Sequence, residues 1–120
     1  MREAVIIDTA RTAIGKAYRG AFNNTEAPAL GGHVISAMMA RQDLDPGLID
    51  DVVMGAAAQQ GTQGYNLGRL CATASGLPDS VAGMTMDRQC ASGMMAIATA
   101  AKSIMCNEYN AAIAGGVESI

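Results

Sequence analysis

The chain has 120 residues, half of them hydrophobic yet only 3% aromatic, with fourteen glycines, nine methionines and a net charge of -3. That length has room for one domain burying roughly two thirds of its unfolded surface, around an interior of small and aliphatic side chains with close backbone contacts. An acidic pI near 4.9 without a basic cluster argues against nucleic acid as a partner, and three cysteines lacking C-x-x-C spacing suggest neither a zinc site nor a disulfide framework, which places the chain in a reducing, cytoplasmic setting.

Met1-Arg2-Glu3 leads directly into the apolar run Ala4 to Ile7, too short for the core of a secretion signal, and Ala4 to Asp8 is read as a first strand. A Gly- and Asn-containing connection, Gly15 to Asn24, precedes a helix expected from about Thr25, with Thr25 as its N-cap. Leu30, Val34, Ile35 and Met38 share one face of that helix. Gly31 and Gly32 would each cost about 1 kcal/mol against Ala in an exposed helix, so they imply a close neighbour. Asp45-Pro46 starts a short helical turn. A second strand is expected at Asp51 to Gly55, followed by the Gly-rich stretch to Gly64, which lacks the Gly-x-x-x-x-Gly-Lys-Ser/Thr arrangement of a phosphate loop. Leu67, Leu70, Cys71 and Ala74 define a second helix that Gly76 and Leu77-Pro78 stop, with Cys71 a packing residue.

A third strand is expected at Val81 to Asp87, then a helix from Cys90, then a fourth strand at Ala111 to Gly116. Met94, Met95, Ile97, Ala98, Ala101, Ile104 and Met105 spread around most of the Cys90 helix, which predicts burial on nearly all sides. Its low-charge stretch, Ala91 to Cys106, is interrupted by Lys102 and is shorter than the ~20 apolar residues that cross a bilayer, so no membrane partner is expected. Strands alternating with helical patterns predict an α/β fold with a largely parallel sheet.

The chemistry concentrates at Cys90, where a strand meets a helix. Unpaired N–H groups and the positive end of the helix dipole favour a thiolate over a thiol there, and the thiolate is the reactive form. The alternative is a small buried apolar cysteine. Asp87 is a candidate cap of the same helix, and Ser92-Gly93 would open the backbone around the thiol. Gly115-Gly116 would allow close packing beside it. His33, the only histidine, is the only imidazole available for a Cys-His pair, but its place in the first helix favours a structural role. Cys106 lies several turns further along the Cys90 helix and cannot reach Cys90. No metal site is expected.

Taken in order, Glu3-Ala-Val-Ile-Ile-Asp-Thr-Ala-Arg-Thr-Ala-Ile-Gly15 with Gly20-Ala-Phe22, Asp51-Val-Val-Met-Gly55, Asn66-Leu-Gly-Arg69, Ser75-Gly-Leu-Pro78, Asp87-Arg-Gln-Cys-Ala-Ser-Gly93 and Ala114-Gly-Gly-Val-Glu-Ser119 closely resemble the N-terminal half of the thiolase family, the acetyl-CoA acetyltransferases and 3-ketoacyl-CoA thiolases. The family usually has Asn at the position of Asp87 and often Pro at that of Ala13. The resemblance implies a βαβαβαβ portion of a layered α/β/α domain, strand order 3-2-1-4-5 with the fifth strand absent from this chain. It implies that residues 1–120 are a partial N-terminal thiolase domain, lacking the C-terminal half and its histidine, second cysteine and Asn-Glu-Ala-Phe segment. It makes Cys90 the nucleophile that carries the acyl-thioester intermediate, its own N–H a donor to the oxyanion, with coenzyme A thioesters as substrates and no bound cofactor. A homodimer or homotetramer is implied for the full-length enzyme, and no turnover for these 120 residues alone. Two alternatives stand beside it: a decarboxylating ketoacyl synthase of the same fold, less well matched by Asp87-Arg-Gln and Arg11-Thr-Ala-Ile-Gly15, and a truncated, non-catalytic interaction domain.

Overall fold

Every residue of Asp51-Val-Val-Met-Gly55 is buried, and these five residues form the central strand, β1, in the computed structural model, which describes residues 1–120. A near-continuous apolar run is what a parallel strand covered on both faces requires. β1 pairs in parallel with β2 (Ala82–Met86) from Asp51↔Ala82 to Gly55↔Met86, and with β3 (Ala112–Gly116) from Asp51↔Ala112 to Gly55↔Gly116. The sheet order is β2-β1-β3. Three helices complete the chain: α1 (Ala27–Gln42), α2 (Leu67–Ala74) and α3 (Ser92–Met105), with short 3-10 turns at Pro46–Leu48 and Gly61–Gln63.

Strand side chains alternate between faces. Val52 and Met54 point into the larger core with Ile35 of α1 and Leu67, Cys71 and Ala72 of α2, while Val53 packs with Ala96 and Ala100 of α3 and with Met84, Met86, Ala112 and Ala114. The sheet therefore carries α1 and α2 on one face and α3 on the other. Glycines set the separations. A Cβ on Gly32 would lie 2.8 Å from Cβ of Ala74, and one on Gly31 would overlap Sγ of Cys71. That is the close neighbour the two glycines imply. On the sheet side, a Cβ on Gly68 would strike the carbonyl of Met84, and one on Gly83 the backbone of Arg69, so α2 rests directly on β2.

Local signals in the sequence account for several boundaries. Oδ1 of Asp45 accepts from the N–H of Gly47 at 2.9 Å and caps the first 3-10 turn. Asn66, in the left-handed region at φ 72°, caps α2 by accepting from the N–H of Arg69 at 3.2 Å, and Gly76 ends it at φ 82°. The N-cap of α1 is Glu26 rather than the expected Thr25, whose N–H is taken by the carbonyl of Phe22.

The expected strand at Ala4 to Asp8 is absent, which corrects the order 3-2-1-4: the segment expected between β1 and β3 is not in the sheet. The place beside β1 that it was expected to take is held by β3. β3 bonds directly to β1 and β2 fills its other side, so no slot remains beside the central strand. The N-terminal segment is instead strapped outside by its ends: Arg2 donates to the carbonyl of Tyr109 and to Oδ1 of Asn110, and Asp8 is held in a two-point ion pair by Arg41 of α1. Val5, Ile6 and Ile7 between them are exposed.

The expectation of a helix buried on all sides also changes. α3 buries Ser92, Ala96 and Ala100 against the sheet, whereas Met94 is 77% and Ile97 45% exposed on its outer face.

Candidate active site

The connection from β2 to α3 is a tight turn built by two side chains. Oδ1 of Asp87 accepts from the N–H of Gln89 at 2.7 Å, and Oγ of Ser92 accepts from the N–H of Arg88 at 2.8 Å while donating to the carbonyl of Gln89 at 2.6 Å. Backbone bonds from Ala91 to Arg88 and from Ser92 to Gln89 close the turn. Held this way, Gln89 adopts φ 50°, a conformation that costs a non-glycine residue about 1 kcal/mol or more and persists only where neighbours enforce it. The next residue is Cys90, which this turn leaves exposed.

Cys90 thus stands two residues before α3 rather than as its first residue, with Ala91 as the N-cap. The backbone N–H groups of Cys90, Gly93 and Met94 meet no acceptor within the chain, so unsatisfied donors and the positive end of the α3 dipole lie at the same junction as Cys90. Asp87 bonds the turn and not the helix end.

The first turn of α3 comes close to the sheet because three glycines meet. Cβ atoms on Gly116 would lie 3.0 Å from Cα of Gly93 and 3.3 Å from the carbonyl of Gly55, and one on Gly55 would overlap the backbone of Ser92. The thiol therefore sits at the carboxyl ends of parallel strands, where open α/β sheets bind ligands.

The other candidates lie elsewhere. His33 is exposed on α1, in the layer across the sheet from α3, and is not brought to Cys90. Cys106 is the C-cap of α3 and exposed, about 20 Å from the helix start at 1.5 Å per residue. Cys71 is fully buried beneath α1, and burial pushes its thiol up to about 11. No three His, Cys, Asp or Glu side chains gather as a metal site, and no helix is long and apolar enough to cross a membrane.

Two arrangements escaped sequence reasoning. At the opposite end of the sheet, Asp51 is buried and accepts from the hydroxyl of Tyr109 at 2.6 Å, leaving its Oδ1 without a partner. That hydrogen bond, with burial and the carboxylate charges of Asp51 and Glu108, pushes Tyr109 up to about 12. Beside the site, Glu118 and the buried Gln63 tie the exits of β1 and β3 together. Neither lies in a local pattern, since the partners are more than 50 residues apart.

The family model described as the N-terminal domain of thiolase matches residues 4–120. A protein named 3-ketoacyl-CoA thiolase from Acinetobacter baumannii is 41% identical over 117 residues, covering 98% of this chain and 30% of that protein. One of the same name from Bacillus subtilis is 40% identical over 120 residues, covering all of this chain and 31% of the relative, and another from Acinetobacter baylyi is 40% identical over 117 residues. The chain spans 30 to 31% of the length of these relatives.

Proposed function

The chain belongs to the thiolase family, and from that premise we propose that it carries the nucleophile of an acyltransferase acting on coenzyme A thioesters. Cys90 is that nucleophile. The observation that carries the reading is its presentation: an exposed cysteine two residues before α3, at a junction where the N–H groups of Cys90, Gly93 and Met94 are unbonded, inside a chain matched to the thiolase N-terminal domain along almost its whole length.

The thiolate of Cys90 attacks the carbonyl carbon of an acyl-CoA. The carbonyl oxygen takes up the charge, and the N–H of Cys90 is a donor suited to it. Collapse of the tetrahedral species breaks the carbon–sulfur bond to coenzyme A, which leaves as a thiolate, and the acyl group remains on Cys90 as a thioester. A second acyl-CoA, having lost a proton from its α-carbon to a base, attacks that thioester; the new carbon–carbon bond forms a 3-ketoacyl-CoA and returns the Cys90 thiolate. Thiolysis runs the same steps backwards.

Residues 1–120 act in this scheme as the nucleophile-bearing part of a larger unit. The base comes from outside them, because His33 is across the sheet from Cys90, and further polypeptide covers the apolar outer face of α3. Two copies associate through the free edge of β2, since an uncovered strand edge is a template for pairing.

Two measurements test this. Incubation with radiolabelled acetyl-CoA, with the covering polypeptide of a relative supplied, should leave label on the peptide containing Cys90, and Cys90→Ser should abolish it because a hydroxyl has no comparable anion near neutral pH. Label trapped on Cys71 or Cys106 would overturn the assignment. Thiolysis of acetoacetyl-CoA should be absent with the 120 residues alone, and turnover by them would refute the need for an outside base.

A further inference from the structure

Beyond Gly55 and Gly116 the exits of β1 and β3 would be free to separate, but a compact polar clamp joins them. The N–H of Val117 extends the ladder by donating to the carbonyl of Gly55 at 3.1 Å. The carboxylate of Glu118 then takes the next two N–H groups of the β1 exit, Oε2 from Ala57 at 2.9 Å and Oε1 from Ala58 at 3.0 Å. Gln63, only 3% exposed, spends its whole amide on the same place. Its Nε2 faces the carbonyl of Ala58 at 2.8 Å, the carbonyl of Ser119 at 3.2 Å and Oε1 of Glu118 at 3.3 Å, and its Oε1 accepts from the N–H of Ser119 at 2.6 Å. Hydrogen bonds to a charged acceptor are roughly twice as strong as neutral ones.

The clamp lies directly after the two residues that carry the nucleophile helix. Gly55 and Gly116 are the backbone surfaces against which Ser92 and Gly93 rest, and those two residues form the first turn of α3 behind Cys90. We propose that Glu118, braced by Gln63, is a positioning residue for Cys90: it fixes the spacing of Gly55 and Gly116 and thereby the seat of the first turn of α3, and with it the placement of Cys90. No hydrogen bond joins Glu118 to Cys90, so it acts through the backbone. The proposal rests on the reading of Cys90 as the nucleophile.

The test compares iodoacetamide labelling of Cys90 and Cys106 in the same molecule by peptide mapping. Cys106, at the far end of α3, is the internal reference. In the unaltered chain Cys90 should react faster near neutral pH. Glu118→Ala should slow Cys90 about tenfold, as misplacement of a reacting group does, and leave Cys106 unchanged. Formate fits the space vacated by the carboxylate and should restore the Cys90 rate in Glu118→Ala while leaving the unaltered chain as it was. Glu118→Gln keeps the shape and one acceptor oxygen, and should fall between the two; it carries the test if Glu118→Ala fails to fold. An unchanged Cys90 rate in the variants overturns the proposal. So does a change shared by both cysteines that formate does not reverse, which would make Glu118 a general support of the fold. Should Cys90 in the unaltered chain react no faster than Cys106, the nucleophile reading itself falls, and the positioning role with it.

Discussion

Sγ of Cys71 is enclosed where α1 crosses α2, against Gly31 and near Met54, and burial is the sole cause that raises its thiol to about 11 from 9.0. Because the folded state favours the neutral thiol, the stability tied to it is complete below pH 9 and is lost as pH rises from 9 toward 11, by an amount of about 3 kcal/mol. Urea unfolding measured across that window should show the decline, and Cys71→Ala should remove most of it while lowering stability at neutral pH only slightly. Tyr109 leaves a residual decline at higher pH, since it too is raised, to about 12. An equal decline in Cys71→Ala would mean that another group controls the alkaline limit. At this scale the sequence was informative wherever a residue stands at a junction: Cys90 between a strand and a helix, Cys71 on the inner face of a short helix, Gly76 before Leu77-Pro78. It was silent on Gln89, whose left-handed backbone is imposed by Asp87 and Ser92 together. It placed Glu118 within the run Ala114 to Ser119 that carries the resemblance but gave neither Glu118 nor Gln63 a role, because no local pattern encodes a bond across more than 50 residues.

Helix α1 meets α2 through glycine, and that contact has a separable energy. A Cβ on Gly31 would overlap Sγ of Cys71 but would lie 3.3 Å from its Cβ and 3.6 Å from Cε of Met54. Gly31→Ala should therefore destabilise by about 1 to 3 kcal/mol, the usual cost of overpacking, partly offset by about 1 kcal/mol of helix propensity. In a Cys71→Ala background the obstructing sulfur is gone and the same change should be close to neutral. The coupling energy from the double-mutant cycle should exceed about 1 kcal/mol, and additive effects would show that the crossing is set by something other than this contact. The elements with a complete local signature were the legible ones: β1 from its apolar run, α2 from its apolar spacing and its stop, β2 and β3 to within one residue of their observed bounds. Ala4 to Asp8 has the composition of a strand and is not one: β-propensity alone does not bring a segment into a sheet, and β3 holds the place beside β1 that it was expected to take. β1 has both of its sides filled. The start of α3 shifted from Cys90 to Ser92 for a related reason: the turn that presents the thiol consumes the two residues before the helix.

Across the whole molecule, apolar surface is divided unevenly. One face of the sheet is sealed by two helices and holds the larger core, whereas the other carries α3 alone, and α3 turns Met94 and Ile97 outward. An exposed apolar stripe on the helix that bears the nucleophile is a surface that favours association, and it lies on a different part of the molecule from the free edge of β2. The two routes to self-association can be told apart. Met94→Lys with Ile97→Lys charges the outer face of α3 and leaves the buried Ala96 and Ala100 in place, so stability should stay within about 0.5 kcal/mol of the original, as is usual for surface changes. Binding of a hydrophobic dye should fall. If α3 is the contact, light scattering should lose its dependence on concentration as well. If scattering is unchanged while dye binding drops, the copies are held by their β2 edges, and the outer face of α3 stays free for the covering polypeptide that the proposed function places there.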